Sequence, residues 1–379
     1  MTSFSFNYGP RVRSAAGAAD GIADLIAAER ILFVTDAGVR GLGLCDGALA
    51  ALTAAGREVV VFDQVEADPS ATTVLAAVEA GRGAGAVVGF GGGSPMDVAK
   101  VAAYLLGSGD ELEAIYGVEQ AKGRGLPLVL VPTTAGTGSE ATPISVITVG
   151  ATEKKGVNSA ALYAEWALLD PTLTYGLPPA VTAATGIDAM VHAIEAYTSV
   201  RLKNPISDAL AREALKLLAA NIRTAVNDGG NGEARGAMLL GAYLAGVAFS
   251  NAPVAGVHAL AYPLGGHFHV PHGLSNALML PHVLGHNMNA AMPLYAELAP
   301  LIDPKLGSLG RQGQAQGFVE ALSALSADCG LPDRLRAVGV AAEHLDLLAA
   351  EAMKQQRLII NNPCPIEQHH ARALYEAAL

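Results

Sequence analysis

The chain has few charged residues for its length. Lysine, arginine, aspartate and glutamate make up 16% of its 379 residues, and hydrophobic residues make up 51%, whereas about 25% of an average globular protein is charged. Such a chain buries much of its surface and is not intrinsically disordered. The formal net charge is −11 and the basic residues form no cluster, which argues against nucleic acid as a partner.

Cysteine is also scarce. The sequence has only Cys45, Cys329 and Cys364, and no two of them form a Cys-x-x-Cys pair. This odd, scattered set indicates a reducing compartment and argues against a disulfide framework or a thiolate metal site. The first residues, MTSFSFNYGPRVR, contain no apolar run of the kind that a secretory signal needs. These absences predict a cytoplasmic protein.

Residues 236–296 contain no Asp, Glu, Lys or Arg. A membrane helix requires about 20 apolar residues. The best candidate, AMLLGAYLAGVAF from Ala237, is interrupted by Ser250, Asn251 and Pro253. We therefore predict a buried core helix followed by His-, Gly- and Pro-rich segments that form a site, and no membrane association.

The two halves of the chain have different patterns, and the length exceeds one typical core of about 100–200 residues. In the first half, strand patterns at 30–36, 58–65, 86–90, 126–131 and 144–149 alternate with helical patterns at 39–55, 70–82 and 94–106. Such alternation is typical of a parallel sheet with helices on both faces. From Pro178 onward, 3.6-residue periodicity predicts helices at 178–199, 206–227, 232–249, 276–290, 312–329 and 341–356. We predict a Rossmann-like α/β domain over residues 1–177 and an all-helical domain over residues 178–379.

Three consecutive glycines, Gly91–Gly93, follow the strand that ends at Phe90 and precede Ser94 and Pro95. Glycines let the backbone approach a ligand, and the N–H groups at a helix N-terminus attract a diphosphate. Ser94 is a favourable N-cap, and Pro95 a favourable first helical residue. GxGxxG and GxxxxGK[ST] are both absent, which disfavours an ordinary dinucleotide fingerprint or a P-loop. A tight turn without a ligand is the alternative, but three glycines favour phosphate binding.

Two further features are weaker. The stretch PTTAGTGSE, residues 132–140, follows the apolar run LPLVLV, and hydroxyls at the carboxyl end of a strand suit a ligand crevice in an open α/β sheet. Asp36 ends the first strand, where an acidic side chain can bond ribose hydroxyls and repel a 2′-phosphate. Thr/Gly loops are common, however, and Asp36 can equally be a solvated loop residue.

A metal site is indicated by Asp188 and His192 in GIDAMVHAIE. On a helix, residues spaced i, i+4 share one face about 6 Å apart and can reach one ion. Six of the ten histidines lie in the charge-free stretch, namely His258, His267, His269, His272, His282 and His286. Histidines in apolar surroundings are metal ligands or hydrogen-bonded core residues, and this clustering favours ligands. Nitrogen and oxygen ligands suit Fe(II), Zn(II), Mn(II), Co(II) or Ni(II) without separating them.

Six segments occur in a characteristic order: GFGGGSPMDVAK, VPTTAGTGSE, LLDPTLTYGLP, TAATGIDAMVHAIEAY, HALAYPLGG and PHGLSNALMLPHV. Together they resemble the iron-containing (group III) alcohol dehydrogenase family. The resemblance implies a dinucleotide-binding α/β domain followed by an all-helical domain. It also implies hydride transfer between a small alcohol, or the matching aldehyde or ketone, and NAD. One divalent metal per chain is expected, most often Fe2+, and so is a homodimer.

The resemblance assigns functional residues as well. The metal ligands that it implies are Asp188, His192, His258 and His272, which leaves the other four clustered histidines outside the ligand set. The cofactor-binding residues that it implies are Asp36, Gly91, Gly92, Gly93, Ser94, Asp97, Thr133, Thr134, Thr137 and Lys154. By this match Asp36 favours NAD over NADP, and Lys154 lies near the cofactor ribose, although the adjacent Lys155 offers an alternative register.

One position departs from the family pattern. Many members carry a histidine four residues after the one matched by His258, where it helps to relay a proton. This chain has Tyr262 there. A tyrosine hydroxyl can pass a proton or orient a substrate, and it can equally be a packing residue, so Tyr262 is the catalytic candidate that the sequence offers.

Two other functions stay open. A metal-independent enzyme like the maleylacetate reductases would share both domains and the glycine turn, but such enzymes lack the aspartate ligand that Asp188 matches. A non-catalytic regulatory protein would keep both the NAD and the metal site, and alcohol-dependent NADH formation would distinguish it. The sequence does not identify the alcohol, the metal or the physiological direction.

Overall fold

The computed structural model describes residues 3–150 and 153–379. The backbone forms two compact units, one from Tyr8 to Gly176 and the other from Leu177 to Leu379 together with residues 3–7. The first unit contains all the strands of the described residues together with helices, and the second is helical. The predicted fold class, an α/β part followed by a helical part, is confirmed.

The α/β unit contains two sheets. Its strands are β1 (Arg11–Ser14), β2 (Arg30–Val34), β3 (Glu58–Phe62), β4 (Ala86–Gly91), β5 (Gly117–Val118), β6 (Leu128–Pro132), β7 (Ile144–Val149), β8 (Glu153–Asn158) and β9 (Trp166–Leu169). The main sheet has the order β1-β9-β6-β4-β2-β3, with parallel pairing throughout. The second has the order β5-β8-β7, with β7 and β8 antiparallel. The strand predicted at 144–149 therefore exists outside the main sheet, and its polar partner β8 was not predicted.

The helices of the α/β unit are α1 (Ala37–Gly41), α2 (Asp46–Ala54), α3 (Ala71–Ala80) and α4 (Gly93–Ser108). The single helix predicted over 39–55 is wrong, because Gly43 has a φ of +70° and separates α1 from α2. The predicted N-cap Ser94 is also wrong, since Gly92 is the N-cap of α4. Pro95 is the third residue of the helix, where the missing N–H still costs no helical hydrogen bond.

The central strands of the main sheet, β2, β4 and β6, are buried on both faces. Successive side chains of a strand point to opposite faces. In β2, Leu32 and Val34 pack into one hydrophobic cluster and Ile31 and Phe33 into another. A parallel sheet covered on both sides requires such continuous apolar runs, which is why β2, β3, β4 and β6 were visible in the sequence. The edge strand β1, with the mostly exposed sequence RVRS, and β9 were not predicted.

The order of the main sheet places a ligand position beside β2. The chain moves from β2 outward to β3, and then returns to β4 on the other side of β2. In open α/β sheets, ligands bind beyond the carboxyl ends of the strands where the direction of winding changes. Asp36 follows β2, and Gly91–Gly93 join β4 to α4, so both predicted features lie at this point.

The helical unit contains nine α-helices among its described residues. They are α5 (Pro179–Thr198), α6 (Pro205–Asn227), α7 (Gly232–Asn251), α8 (Gly256–Phe268), α9 (His272–Ile302), α10 (Arg311–Asp328), α11 (Leu345–Ala352), α12 (Gln356–Ile359) and α13 (Gln368–Ala378). The sequence analysis missed α8, α12 and α13. It also truncated α9, which continues through Pro281, Pro293 and Pro300.

The charge-free stretch forms most of α7, all of α8 and much of α9. Among the described residues, no single helix is long and apolar enough to cross a membrane, and α7 and α8 pass only as a pair bent by 107°. The bend lies at residues 252–255 and includes Pro253, which has no backbone N–H to continue a helix. It turns the chain so that the ring of His258 on α8 stacks on that of His192 on α5.

Candidate functional site

Helix α5 carries three buried ionisable side chains on one face. Asp188, His192 and Glu195 are spaced four and three residues apart, so they lie one above the other along the helix. Their exposed fractions are 1%, 4% and 3%. Burying such groups is costly unless each is paired or hydrogen-bonded, so this face requires partners from other helices.

Two of those partners are histidines. His258 comes from α8 and His272 is the first residue of α9, and one possible ligand atom from each joins those of Asp188 and His192 within 4.8 Å of one another. Oδ1 of Asp188 lies 3.6 Å from Nε2 of His272 and 3.9 Å from Nε2 of His258. Ligands that share an ion at about 2.1 Å lie no more than about 4.2 Å apart. Both of these pairs therefore fit a common ion.

Nε2 of His258 gives an independent indication of a cation. This atom is buried and, within residues 3–150 and 153–379, has no hydrogen-bond partner. An unsatisfied buried polar atom costs about 1–3 kcal/mol, so its presence needs a reason. A cation shared with Asp188 would satisfy the lone pair of His258, and a set of three imidazoles and one carboxylate suits Fe(II), Zn(II) and similar ions. The four residues fit a divalent metal.

Asp188 is held in the form that binds a cation. Burial opposes its ionisation, but attraction from His192, His272 and His258 keeps the pKa of Asp188 below its ordinary value. Asn276 on α9 also donates its amide N–H to Oδ1 of Asp188 at 2.5 Å. The carboxylate therefore stays ionised despite its burial.

Gly273 allows the start of α9 to lie against α5. A Cβ atom at this position would lie 2.4 Å from the carbonyl oxygen of Ala184 and 3.3 Å from Cβ of Asp188. The nearest obstacle is helix backbone, which cannot move aside cheaply. A glycine directly after His272 is therefore required to bring that histidine to Asp188.

The remaining predicted residues of the helical unit lie around this group. Tyr262 is one turn after His258 on α8, and its ring centre lies 5.8 Å from that of His272. Among the residues that the structure describes, no second group of three or more potential ligands is present. Of the six histidines in the charge-free stretch, four lie outside the group, as the resemblance implied, namely His267, His269, His282 and His286.

In the α/β unit, Asp36 lies beside the glycine turn. Its Oδ1 accepts the N–H of Val39 at 2.8 Å and so caps α1. Its Oδ2 lies 3.3 Å from the position that a Cβ on Gly91 would occupy. Gly91 has a φ of +149°, and a Cβ there would also lie 2.8 Å from Cγ of Pro95. Only glycine fits this position. Because glycine has no side chain, the backbone of Gly91 lies directly next to the carboxylate of Asp36.

Threonine side chains cover the other two glycines. Side-chain atoms of Thr134 lie 3.9 Å from the Cβ position of Gly92, and those of Thr137 lie 3.1 Å from that of Gly93. The N–H of Thr133 donates to the carbonyl of Gly91 at 2.9 Å. Hydroxyl groups after β6 and open backbone after β4 thus meet in one place, where the N-terminus of α4 offers N–H groups to an anion.

Asp97 supports this turn from within. Its Oδ1 accepts the hydroxyl of Ser139 at 2.6 Å, and its Oδ2 accepts the N–H of Val146 at 2.9 Å. Lys100 is fully buried and donates to the same Ser139 hydroxyl and to the carbonyl of Ile144, both at 2.6 Å. Both carboxylate oxygens of Asp97 are engaged by the protein, so its contacts fasten the Thr-rich loop to α4. A direct contact of Asp97 with the cofactor stays a prediction.

Lys154 lies in β8 of the second sheet. Its Nζ is 2.9 Å from Oδ1 of Asp68 and 3.0 Å from the hydroxyl of Thr148. The adjacent Lys155 is placed differently, with its Nζ 5.5 Å from the ring centre of Tyr116. Both lysines have partners within the α/β unit, and the contact of Lys154 with a cofactor ribose stays a prediction.

Comparison with known proteins identifies the family. Residues 9–171 match the profile of iron-containing alcohol dehydrogenases, and residues 182–379 match the C-terminal profile of the Fe-containing alcohol dehydrogenase family. The chain belongs to the iron-containing alcohol dehydrogenase family. It is accordingly an oxidoreductase, a metal-dependent alcohol dehydrogenase that uses NAD, as the family resemblance predicted.

Individual relatives cover nearly the whole chain. Long-chain-alcohol dehydrogenase 1 of Geobacillus thermodenitrificans is 42% identical over 358 residues, which cover 93% of this chain and 90% of the relative. The crystal structure of a 1,3-propanediol oxidoreductase has a TM-score of 0.96 at 35% identity and full coverage of both chains. Sulfoacetaldehyde reductase from Bifidobacterium kashiwanohense, solved in complex with NAD+, has a TM-score of 0.87 at 29% identity, covering 100% and 99%. These similar proteins carry the names of different substrates.

Two polar residues that contact the ligand group were not predicted. Asn276 lies one turn after His272 on α9, and Glu195 lies seven residues after Asp188 on α5. Positions four and seven residues from a ligand share its face of a helix. Helical periodicity, extended from the ligands themselves, could therefore have indicated both.

Proposed function

We propose that this enzyme interconverts a small-molecule alcohol and its aldehyde or ketone, with Asp188, His192, His258 and His272 as the metal ligands. The observation that carries the proposal is the convergence of one ligand atom from each of these residues within 4.8 Å. Three helices contribute to the group, and an orphaned buried nitrogen lies within it. When bound, the metal supplies a Lewis acid that polarises the substrate oxygen, and NAD supplies the hydride acceptor or donor.

The exposure of the ligands indicates the side from which substrate arrives. The side chain of His272 is 42% exposed, whereas Asp188, His192 and His258 are buried at 4% exposure or less. A substrate oxygen therefore reaches the centre past His272. The buried residues exclude water from the opposite side and hold the donor atoms in place.

Tyr262 lies on this accessible side. It is half-buried, and its ring lies beside that of His272. Its hydroxyl is suited to pass the alcohol proton towards solvent or to orient the substrate. Tyr262→Phe keeps the ring and removes the hydroxyl, so we expect kcat to fall by about 10²-fold at unchanged metal content. An unchanged kcat would make Tyr262 a packing residue.

We place NAD at the glycine turn of the α/β unit. Gly91–Gly93 and the N–H groups at the start of α4 suit the diphosphate, and the carboxylate of Asp36 suits ribose hydroxyls. Asp97 acts in this scheme by fastening the Thr-rich loop. The remaining proposed contacts are those of Ser94, Thr133, Thr134, Thr137 and Lys154.

The test is formation of NADH from a panel of primary and secondary alcohols by protein purified anaerobically. We expect NAD-dependent turnover of at least one alcohol, and reduction of the matching carbonyl by NADH. A protein that binds NAD and metal but forms no NADH with any alcohol would support the regulatory alternative. Carbonyl reduction that survives complete removal of metal would support the maleylacetate-reductase-like alternative.

The compartment and the assembly are proposed on other grounds. The three cysteines are free and two of them are buried, as expected of a protein in a reducing compartment. A homodimer is proposed from the resemblance to the family. Light scattering on the purified enzyme should give about twice the chain mass of 38.6 kDa, and a mass equal to that of one chain would contradict the dimer.

A further inference from the structure

Glu195 is buried next to the ligand group without belonging to it. Its Oε2 lies 2.6 Å from Nδ1 of His258. The same Oε2 accepts the backbone N–H of Ala255 at 2.8 Å, and Oε1 accepts that of Val257 at 2.6 Å. Both oxygens are thus directed at the start of α8, immediately after the bend that separates it from α7. A negative charge is also favourable at the N-terminus of a helix.

The contact with Glu195 determines which nitrogen of His258 carries a proton. Two backbone N–H groups and Nδ1 of His258 converge on the side chain of Glu195, and an ionised carboxylate acts only as an acceptor. Nδ1 of His258 must therefore be the N–H that donates, and the neutral ring then has an unprotonated Nε2. That Nε2 is the atom that lies 3.9 Å from Oδ1 of Asp188. A hydrogen bond on one side of the ring prepares the other side for a cation.

We infer that Glu195 is a positioning residue of the metal centre. It sets the tautomer and the orientation of His258 and anchors the first turn of α8, without being a ligand itself. The inference rests on the proposed ligand role of His258. Carboxylates that accept the second N–H of a metal-bound imidazole raise the basicity of the ligand, and their removal costs about 10–100-fold in metal affinity or activity.

Glu195→Gln tests the inference directly. The amide has nearly the same shape but only one acceptor oxygen, so either His258 or Val257 faces an NH2 group. We expect the full-length apoprotein to bind Zn2+ about 10–100-fold more weakly in competition with a chelator, while its affinity for NAD is unchanged. Wild-type affinity for Zn2+ would overturn the inference.

Asn362 offers a matched control at the same helix end. Its Oδ1 lies 3.3 Å from the backbone N of Gly256, and its amide donates to Oδ1 of Asn287 at 2.6 Å. Asn362→Ala therefore disturbs the N-terminus of α8 without removing a contact to His258. We expect a lower unfolding midpoint but unchanged Zn2+ affinity. If this variant lost as much affinity as Glu195→Gln, the effect of Glu195 would be a general displacement of α8, and the inference would fail.

A double-mutant cycle separates this inference from the proposed ligand set. Because Glu195 acts through His258, Glu195→Gln should cause no further loss of Zn2+ affinity when it is added to His258→Ala. Additive losses would contradict action through His258. Undiminished Zn2+ affinity in His258→Ala alone would instead show that the proposed ligand set is wrong.

The wild-type enzyme provides a test that does not depend on the folding of any Glu195 variant. In the Zn2+-loaded protein with 15N-labelled histidine, the signals of His258 are those missing from His258→Ala. We expect Nδ1 of His258 to carry a proton and Nε2 to carry none. A ring with unprotonated Nδ1 would overturn the inference, since it could not donate to Glu195.

Discussion

The helical unit and the α/β unit build their candidate sites in opposite ways. In the helical unit, the site consists of ionisable side chains, all but His272 buried, that other side chains hold in place, as Asn276 holds Asp188. In the α/β unit, the site consists largely of backbone. Gly91–Gly93 have no side chains to cover their backbone between the carboxylate of Asp36 and the threonine hydroxyls. We therefore expect the metal site to lose its ion when one ligand side chain is removed. We expect the turn at Gly91–Gly93 to lose affinity for NAD when atoms are added to it.

The largest expected effect is the loss of a ligand. His272→Ala should lower kcat/KM by about 10³-fold or more, because the Lewis-acid contribution amounts to several kcal/mol. Metal content should fall with it, whereas NAD affinity should not change, because none of the four ligand residues lies in the α/β unit. Mass spectrometry measures the metal and titration calorimetry measures NAD binding. A variant that keeps both its metal and its turnover would remove His272 from the site.

The second effect concerns Glu140, a buried carboxyl group of the α/β unit. The nearby charge of Lys100 offsets only part of the cost of burying its ionised form. Burial raises the pKa of Glu140 from an ordinary value of 4.5 to about 7, against the opposing effects of a backbone hydrogen bond and the charge of Lys100. The folded protein thus holds a proton that the unfolded chain releases between these values. This contribution to stability is fully present below pH 4.5 and is lost as the pH rises through about 7.

Glu140→Gln should remove that pH dependence. As the pH rises from 4.5 to above 7, we expect the unfolding free energy of the wild type to fall by up to about 3 kcal/mol. The variant should not show this fall. Urea unfolding of both proteins at pH 5 and at pH 8 measures the difference. A gap between the two proteins that does not change with pH would show that Glu140 is ionised in the fold.

The third prediction adds one methyl group to the glycine turn. Gly91→Ala forces a side chain into a φ of +149° and to within 2.8 Å of Pro95. Strain of this kind costs about 1–3 kcal/mol, and 1.4 kcal/mol corresponds to tenfold in a dissociation constant. We expect NAD affinity to fall by about tenfold while metal content stays the same. A parallel loss of metal would contradict the expectation that the two sites bind their ligands independently.

The smallest effect is a change of cofactor preference. Asp36→Asn keeps an oxygen that can cap α1, since asparagine and aspartate are similarly good N-caps, but removes the charge that repels a 2′-phosphate. We expect the ratio of kcat/KM for NADP to that for NAD to rise by about tenfold or less, which corresponds to at most about 1.4 kcal/mol. Steady-state kinetics with both cofactors measure the ratio. An unchanged ratio would mean that Asp36 serves only as a helix cap.

The two units also differ in how far their sequence predicts them. Asp188 and His192 were indicated by helical spacing alone, because both lie on one helix. His258 and His272 were assigned through the family resemblance, since no local pattern joins residues 66 and 80 positions away from His192. Helix α8 itself was missed because Pro263 lies within it and glycines and histidines end it.

In the α/β unit, strands β1 and β9 of the main sheet were missed, whereas β2, β3, β4 and β6 were visible because each is a continuous apolar run. The network of Asp97, Lys100 and Ser139 was not, since it joins residues about 40 positions apart and depends on how the loop after β6 returns to α4. The split between α1 and α2 was missed for a simpler reason. Apolar residues continue on both sides of Gly43, and periodicity alone does not detect a single turn.

The most direct test of the account is the metal content of anaerobically purified enzyme, measured by mass spectrometry together with NADH formation before and after chelation. The account predicts about one metal per chain, activity that chelation abolishes and that Fe(II) or another divalent ion restores, and NAD binding that persists in the metal-free protein. Absence of metal together with undiminished NADH-dependent carbonyl reduction would contradict it, and the convergence of Asp188, His192, His258 and His272 would then require another explanation.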